Sequence, residues 1–334
     1  MMVRVSEVIR GWLGWCPNAA VMRMSPGVVR APPVILNSSV PDGGTGGPGR
    51  ISRGASLAVG SLRILFRNLR LLIFSFLTGL VMIFSLATNL YLQAVSGTNP
   101  FPGMNLVTIP PEVLIAKGSL EWVALTFAIG FISSFLTYIL LAGLLSCVSS
   151  IISEKACTFR EGLARAGGCM RSLAAWAVVG SLLGTAGSCI MTADSAGIPV
   201  VILSMGAIYL FFILTIFVVP AIVVDGVGIV PAIRQSLVVF RKIWGEIIVC
   251  FGILLLVAFV IYLLVLIPAI YLGFSSAGTA SVGLTVILTM LVMMVLMFIG
   301  STVSGIASLG LYACWKDGGV PPAFAGTAAE RESP

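Results

Sequence analysis

FVVPAIVVDGVGIVPAIRQSLVVFRKIWGE, Phe217 to Glu246, joins two wholly apolar runs through a short basic segment. The entering run ends at Asp225. Beyond it Val230, Ile233, Leu237, Phe240 and Trp244 recur at spacings of three and four, which places them on one face of a helix over Pro231–Trp244. Arg234, Gln235, Arg241 and Lys242 take the other face. A basic amphipathic helix between two apolar runs reads as an elbow lying in the membrane interface, apolar side toward acyl chains and basic side toward lipid phosphates.

Composition carries the same reading to the whole chain. Of 334 residues, 58% are hydrophobic and 9% charged, where soluble domains carry about a quarter charged residues. Six apolar runs, roughly 71–95, 120–152, 173–191, 200–224, 247–272 and 282–311, each approach or exceed the ~20 residues needed to cross hydrocarbon. The expected fold is all-α, an integral membrane bundle of about six transmembrane helices with cytoplasmic amphipathic interfacial helices. Pro220 and Pro268 are expected to kink the fourth and fifth spans.

Four segments follow: an N-terminal amphipathic helix within 1–17, a flexible Pro- and Gly-rich linker over 18–55, the six-span domain over 56–315 and a disordered cytoplasmic tail over 316–334. In the first, Val5, Val8, Ile9, Trp12 and Leu13 share a face opposite Arg4, Glu7 and Arg10, which also breaks the apolar core a secretory signal needs. The linker run PDGGTGGPGR cannot bury enough apolar area to order itself. Its G-x-G-x-x-G spacing contains Pro48 and follows no strand, so it is not read as a nucleotide loop.

The lysines and arginines fix an orientation. On one side lie the nine arginines up to Arg70, then Lys155, Arg160, Arg165, Arg171, Arg234, Arg241, Lys242, Lys316 and Arg331, while Lys117 stands on the other. Such asymmetry places both termini in the cytoplasm of a multi-pass protein of the cell membrane. Arg63, Arg67 and Arg70 form a stripe just before the first span. With Arg160, Arg165, Arg171, Arg234, Arg241 and Lys242 they are the residues expected to meet membrane lipids with anionic headgroups. The net charge of +7 lies beside membrane spans and not in a basic module with interleaved aromatics, so nucleic acid is not an expected partner.

The connection between the second and third spans repeats the elbow. Thr158 and Glu161 have capping-box spacing, Glu161 and Arg165 form an i,i+4 pair, and Phe159, Leu163, Ala166 and Met170 line one face. A shift of seventy positions puts Leu163 on Ile233 and Arg171 on Arg241, which reads either as a parallel duplication or as shared physical constraint.

Chemistry is sparse. The chain has no histidine, and its seven cysteines form no C-x-x-C pair, so they read as small buried hydrophobes. None of the six runs has an ionisable residue near its middle, and Glu121 and Glu246 sit at span ends beside tryptophans. Gly180, Gly184 and Ser188, and again Gly300, Ser304 and Ser308, form small-residue rows for helix packing within the bundle or with another membrane protein or copy. Ser133, Ser134, Thr137 and Tyr138 give the second span a polar stretch at mid-depth. No cofactor or metal is expected.

The residues Pro220, Asp225, Gly228, Ala232, Ile233, Arg234, Ser236, Phe240, Arg241, Trp244, Gly245 and Glu246 resemble a motif of archaeal, especially methanogen, multi-pass membrane proteins of unknown function, over about 50–315. A looser form is similar to the membrane domain attached to some glycerophosphodiester phosphodiesterases. The catalytic barrel is missing here, so the resemblance implies no hydrolase activity. Gly14–Ala19 also resembles the start of small archaeal membrane proteins. Three readings fit: first a non-enzymatic scaffold or accessory subunit that binds lipid or a partner through its amphipathic helices, then a transporter or channel for a neutral or amphipathic solute, and last an intramembrane enzyme.

Overall fold

A computed structural model describes residues 49–96, 115–116, 118–153, 157–192, 197–275, 279–318, 320–321 and 324. The expected N-terminal helix, most of the linker and most of the connection over 96–119 lie outside them. The described chain is helical throughout: α1 (Arg50–Arg67), a 3-10 turn (Leu69–Leu71), α2 (Leu72–Val95), α3 (Leu120–Ile152), α4 (Phe159–Gly168), α5 (Met170–Thr192), α6 (Ile198–Leu214), α7 (Val218–Asp225), α8 (Ile229–Ser275) and α9 (Thr279–Asp317). Among the described residues six stretches are long and apolar enough to cross a membrane: Leu69–Val95, Leu120–Ile152, Met170–Met191, Ile198–Asp225, Ile229–Pro268 and Met294–Asp317.

Local signals account for the boundaries. Ser119 caps α3 by accepting the Trp122 N–H, and the Thr158–Glu161 capping box forms reciprocally at the start of α4. Gly226 ends α7 in the left-handed region, φ 65°, which a side chain would strain. The fourth span is broken between α6 and α7 at residues 215–217, just ahead of Pro220, whose ring crowds the carbonyl four residues back. Ser236 closes the gap from the elbow: its hydroxyl accepts the Phe217 N–H at 3.2 Å and donates to the Leu214 carbonyl at 2.9 Å. In α8 the backbone stays helical through Pro268, and the non-helical residue is Ile243, φ −117° and ψ 23°, where the elbow turns into the fifth span.

The core gathers at the end of the bundle that carries the basic connections. Phe217, Val218, Ala221 and Ile222 of the short α7 are buried in its centre, in one cluster with Leu57 and Leu65 of α1, Leu145 and Val148 of α3, Ala232 and Val239 of α8, and Ile306 and Tyr312 of α9. Toward the opposite end large apolar side chains point outward, among them Leu80 and Phe84 of α2, Leu203 and Tyr209 of α6, and Leu255 and Phe259 of α8. A surface facing acyl chains gains nothing by hiding such groups, so this is the expected distribution for a membrane bundle.

Two boundaries and one covalent link differ from the sequence reading. Helix α1 begins at Arg50, inside the stretch read as linker and before the expected start at Ser56, because Gly54, Leu57, Ala58, Ser61, Ile64 and Leu65 form one buried face. Gly54 is needed there: a Cβ would lie 2.9 Å from the Val249 side chain. Phe324, inside the stretch read as a disordered tail, is buried, and a Cβ at Gly60 or Gly310 would meet it at 2.8 Å. Two glycines on facing helices open the slot that Phe324 fills. Finally, Cys147 and Cys157 are joined by a disulfide between the end of α3 and the start of α4, where simple burial was expected of the cysteines.

Candidate functional site

The two basic connections dock on the bundle along faces that include small residues and turn several bulky ones outward. In α4 and just after it the buried positions are Gly162, Ala166 and Cys169, whereas Leu163 and Met170 are exposed. In the elbow Ile229, Ala232, Ser236, Val239 and Ile243 are buried, whereas Val230, Val238 and Trp244 are exposed. The bulky faces, read in the elbow as turned toward acyl chains, are thus mostly outward, although Phe159, Ile233 and Phe240 pack partly against the core. Close approach explains the difference, since a Cβ at Gly162 would meet Cys147 at 2.6 Å and leaves no room for a leucine.

The seventy-position correspondence holds in the packing. Helices α4 and α8 begin at Phe159 and Ile229, seventy positions apart. Buried Gly162, Ala166, Cys169, Leu173, Trp176 and Ala177 correspond in turn to buried Ala232, Ser236, Val239, Ile243, Glu246 and Ile247. Side-chain identity is not kept across these pairs, but position on the buried face is. The pair formed by the second and third spans thus has the same plan as the fourth and fifth, running in the same direction.

Beside the docked faces sit two polar clusters that join distant parts of the chain. Asp225, at the end of α7, accepts Lys316 Nζ at 2.6 Å and Gln235 Nε2 at 2.7 Å, and also accepts the Tyr312 hydroxyl. In the second cluster Arg53 pairs with Glu246 at 3.2 Å, and the Glu246 side chain is only 5% exposed. Arg53 Nε and Glu246 Oε2 are buried without a hydrogen-bond partner. Neither cluster was assembled from sequence: Arg53 lay in the supposed linker, Lys316 in the supposed tail, and Gln235 was placed on the basic face of the elbow, toward lipid phosphates. The available signal was that Asp225 and Glu246 bracket the elbow and are its only carboxylates.

These clusters separate the cations into two kinds. Arg53 and Lys316 are neutralised within the protein. Arg63, Arg67, Arg70, Arg160, Arg165, Arg171, Arg234, Arg241 and Lys242 form no ion pair among the described residues. Arg165 contacts the Ser150 hydroxyl, so the expected pair with Glu161 is not made. All nine border the connections at one end of the bundle, and apart from the half-exposed Arg63 all are exposed. Exposed apolar side chains accompany them: Phe66 and Leu69, Leu163 and Met170, and Val230, Val238 and Trp244. Among the described residues no group of three His, Cys, Asp or Glu could hold a metal ion.

Fold and site together define a polytopic helical membrane protein whose basic connections converge at one end. Residues 152–321, half of the chain, match the model of a family of unknown function (DUF6159), and the chain belongs to that family. The match runs from the last residue of α3 past the end of α9, and so includes both docked connections, Asp225, Gln235, Glu246, Tyr312 and Lys316. No curated protein matches the chain and no solved structure matches it, so neither the archaeal resemblance nor the likeness to phosphodiesterase membrane domains gains support.

Proposed function

We propose that the protein is a non-enzymatic membrane scaffold or accessory subunit whose cytoplasmic basic end binds anionic lipid headgroups. The observation that carries this reading is the set of nine cations, from Arg63 to Lys242, that face outward without a carboxylate partner among the described residues. Each lies near exposed apolar side chains, which is the arrangement an interfacial helix presents to a bilayer: apolar groups enter the acyl boundary and cations reach the phosphates above it. Two of the carboxylates at this end are engaged within the bundle, Asp225 by Lys316 and Glu246 by Arg53, and Glu161 accepts the Thr158 N–H. The nine cations outnumber the exposed carboxylates beside them among the described residues, Glu161 and Asp317, so a net positive field faces outward.

In this reading both termini lie in the cytoplasm of a cell membrane, because the lysine and arginine asymmetry sets that orientation. A second membrane protein or copy would pack on the small-residue rows. Lipid analysis of the protein purified from native membranes tests the proposal. Anionic phospholipid should be enriched over its membrane fraction and fall to that fraction when Arg234, Arg241 and Lys242 are all changed to Gln. Retention of neutral and anionic lipid in membrane proportions by the parent would reject it.

A further inference from the structure

Each basic connection is a helix that turns through a non-helical residue into a span, and α1 has the same plan. The turn falls at Asn68 (φ −130°, ψ 63°) after α1, at Cys169 (φ −105°, ψ 10°) after α4 and at Ile243 (φ −117°, ψ 23°) within α8. Shifting α1 by 108 positions onto α4, and α4 by seventy onto α8, aligns four buried sites: Gly54 with Gly162 and Ala232, Ala58 with Ala166 and Ser236, Ser61 with Cys169 and Val239, and Leu65 with Leu173 and Ile243. The same shifts align Arg63, Arg171 and Arg241. Any docked helix shows a buried stripe spaced four, three and four. The shared arginine and the order of docking are particular to this chain.

That order is cyclic. Helix α4 lies on α3, the span that ends the preceding unit, and a Cβ at Gly162 would meet the Gly143 carbonyl at 2.8 Å. The first part of α8 lies on α7 through Ser236, which bonds Phe217 and Leu214. Helix α1 opens the described chain and lies on α9, which closes it: a Cβ at Gly310 would meet Leu57 at 3.2 Å. Each outgoing span packs between its own returning span and the one before, α2 between α3 and α9, α5 between α6–α7 and α3, and α8 between α9 and α7. The returning spans α3, α7 and α9 touch one another, and Val148, Phe217 and Tyr312 are buried where they meet. Three units, 50–152, 159–225 and 229–317, thus close around one axis. The family match over 152–321 takes in the second and third, and the first lies ahead of it.

We infer that the protein is a ring of three equivalent units, and that Arg63, Arg171 and Arg241 each hold an anionic lipid headgroup at one level around its basic end. This rests on the anionic-lipid reading above and names which contacts carry it. Each of the three stands two positions before a buried Leu65, Leu173 or Ile243, beside the junction where helix becomes span, and therefore at the depth where hydrocarbon gives way to headgroups. The other six unpaired cations stand alone at their registers. Arg160, for instance, corresponds to Ser52 and Val230.

The test uses full-length protein in phosphatidylcholine nanodiscs with or without phosphatidylglycerol. Adding phosphatidylglycerol should slow hydrogen exchange in 50–65, 159–173 and 229–243 by similar factors. Arg63→Gln, Arg171→Gln and Arg241→Gln should each remove about fivefold of that protection from its own helix and leave the other two as in the parent. Arg160→Gln should remove less than about twofold. Nitroxide amino acids placed pairwise at 63, 171 and 241 should give three distances equal to within one helical turn, about 5 Å. Slowing confined to one or two helices, an Arg160→Gln effect equal to that of Arg171→Gln, or distances that differ by more than two turns would overturn the ring of contacts and leave the anionic-lipid reading in place. No slowing in any helix would overturn both. Should a variant not fold, the three helices of the parent, compared in the two lipids, decide.

Discussion

Asp225 and Lys316 are 91 residues apart in the chain and meet at 2.6 Å, tying the end of the fourth span to the end of the sixth. Gln235 and Tyr312 donate to the same carboxylate, so Asp225 is the acceptor on which three donors depend. Replacing it by Ala leaves them without that acceptor at a partly buried site, and stability should fall by about 2–3 kcal/mol. Lys316→Met removes the more exposed partner and should cost about 0.5–1 kcal/mol. Thermal unfolding in detergent, followed by tryptophan fluorescence, reads the order of the two variants. A larger loss for Lys316→Met would contradict the account of the cluster.

Arg53 and Glu246 form a more buried pair. Arg53→Ala should destabilise by about 3 kcal/mol, because it leaves a carboxylate in the core without its counter-charge. Arg53→Met combined with Glu246→Leu removes both charges and should recover most of that loss. A double variant as unstable as Arg53→Ala, in the same unfolding assay, would show that burial of the charge is not the cause.

Phe324 ties the chain beyond the sixth span to α1 and α9. Its buried ring occupies the slot beside Gly60 and Gly310, and Phe324→Ala should cost about 3 kcal/mol through the cavity it leaves. Stopping the chain after Val320 should have the same effect. An unfolding midpoint equal to the parent's in either variant would mean that Phe324 is not part of the core.

The spans were legible because acyl chains impose a simple rule, long apolar runs flanked by charge, and that rule needs no knowledge of neighbours. The elbow was legible for the same reason, as were the Thr158–Glu161 capping box and the break near Pro220, which depend only on nearby residues. The packing faces were not. The periodicity of Val230, Ile233, Leu237, Phe240 and Trp244 marks the face turned toward acyl chains and leaves unnamed the face that docks, which Ala232 and Ser236 share with Ile229, Val239 and Ile243. The polar clusters were hidden because their partners, Arg53 with Glu246 and Asp225 with Tyr312 and Lys316, are brought together only by the tertiary arrangement.

Orientation is open to a direct check. A cysteine introduced at Arg234, exposed on the elbow, should react with an impermeant maleimide only after the membrane is permeabilised. Labelling from outside intact cells, above the level of the parent, would invert the topology and move the basic end to the other face.

If the unpaired cations hold the basic end against anionic headgroups, hydrogen exchange of residues 230–244 should report it. Each such charge near an anionic surface contributes on the order of 1 kcal/mol, so changing Arg234, Arg241 and Lys242 together to Gln should weaken the attachment by about 3 kcal/mol before screening. The account predicts slower exchange in nanodiscs containing anionic lipid than in neutral ones, a difference that vanishes in the triple variant while the spans stay protected. Equal protection of the parent in both lipids, unchanged in the variant, would contradict it.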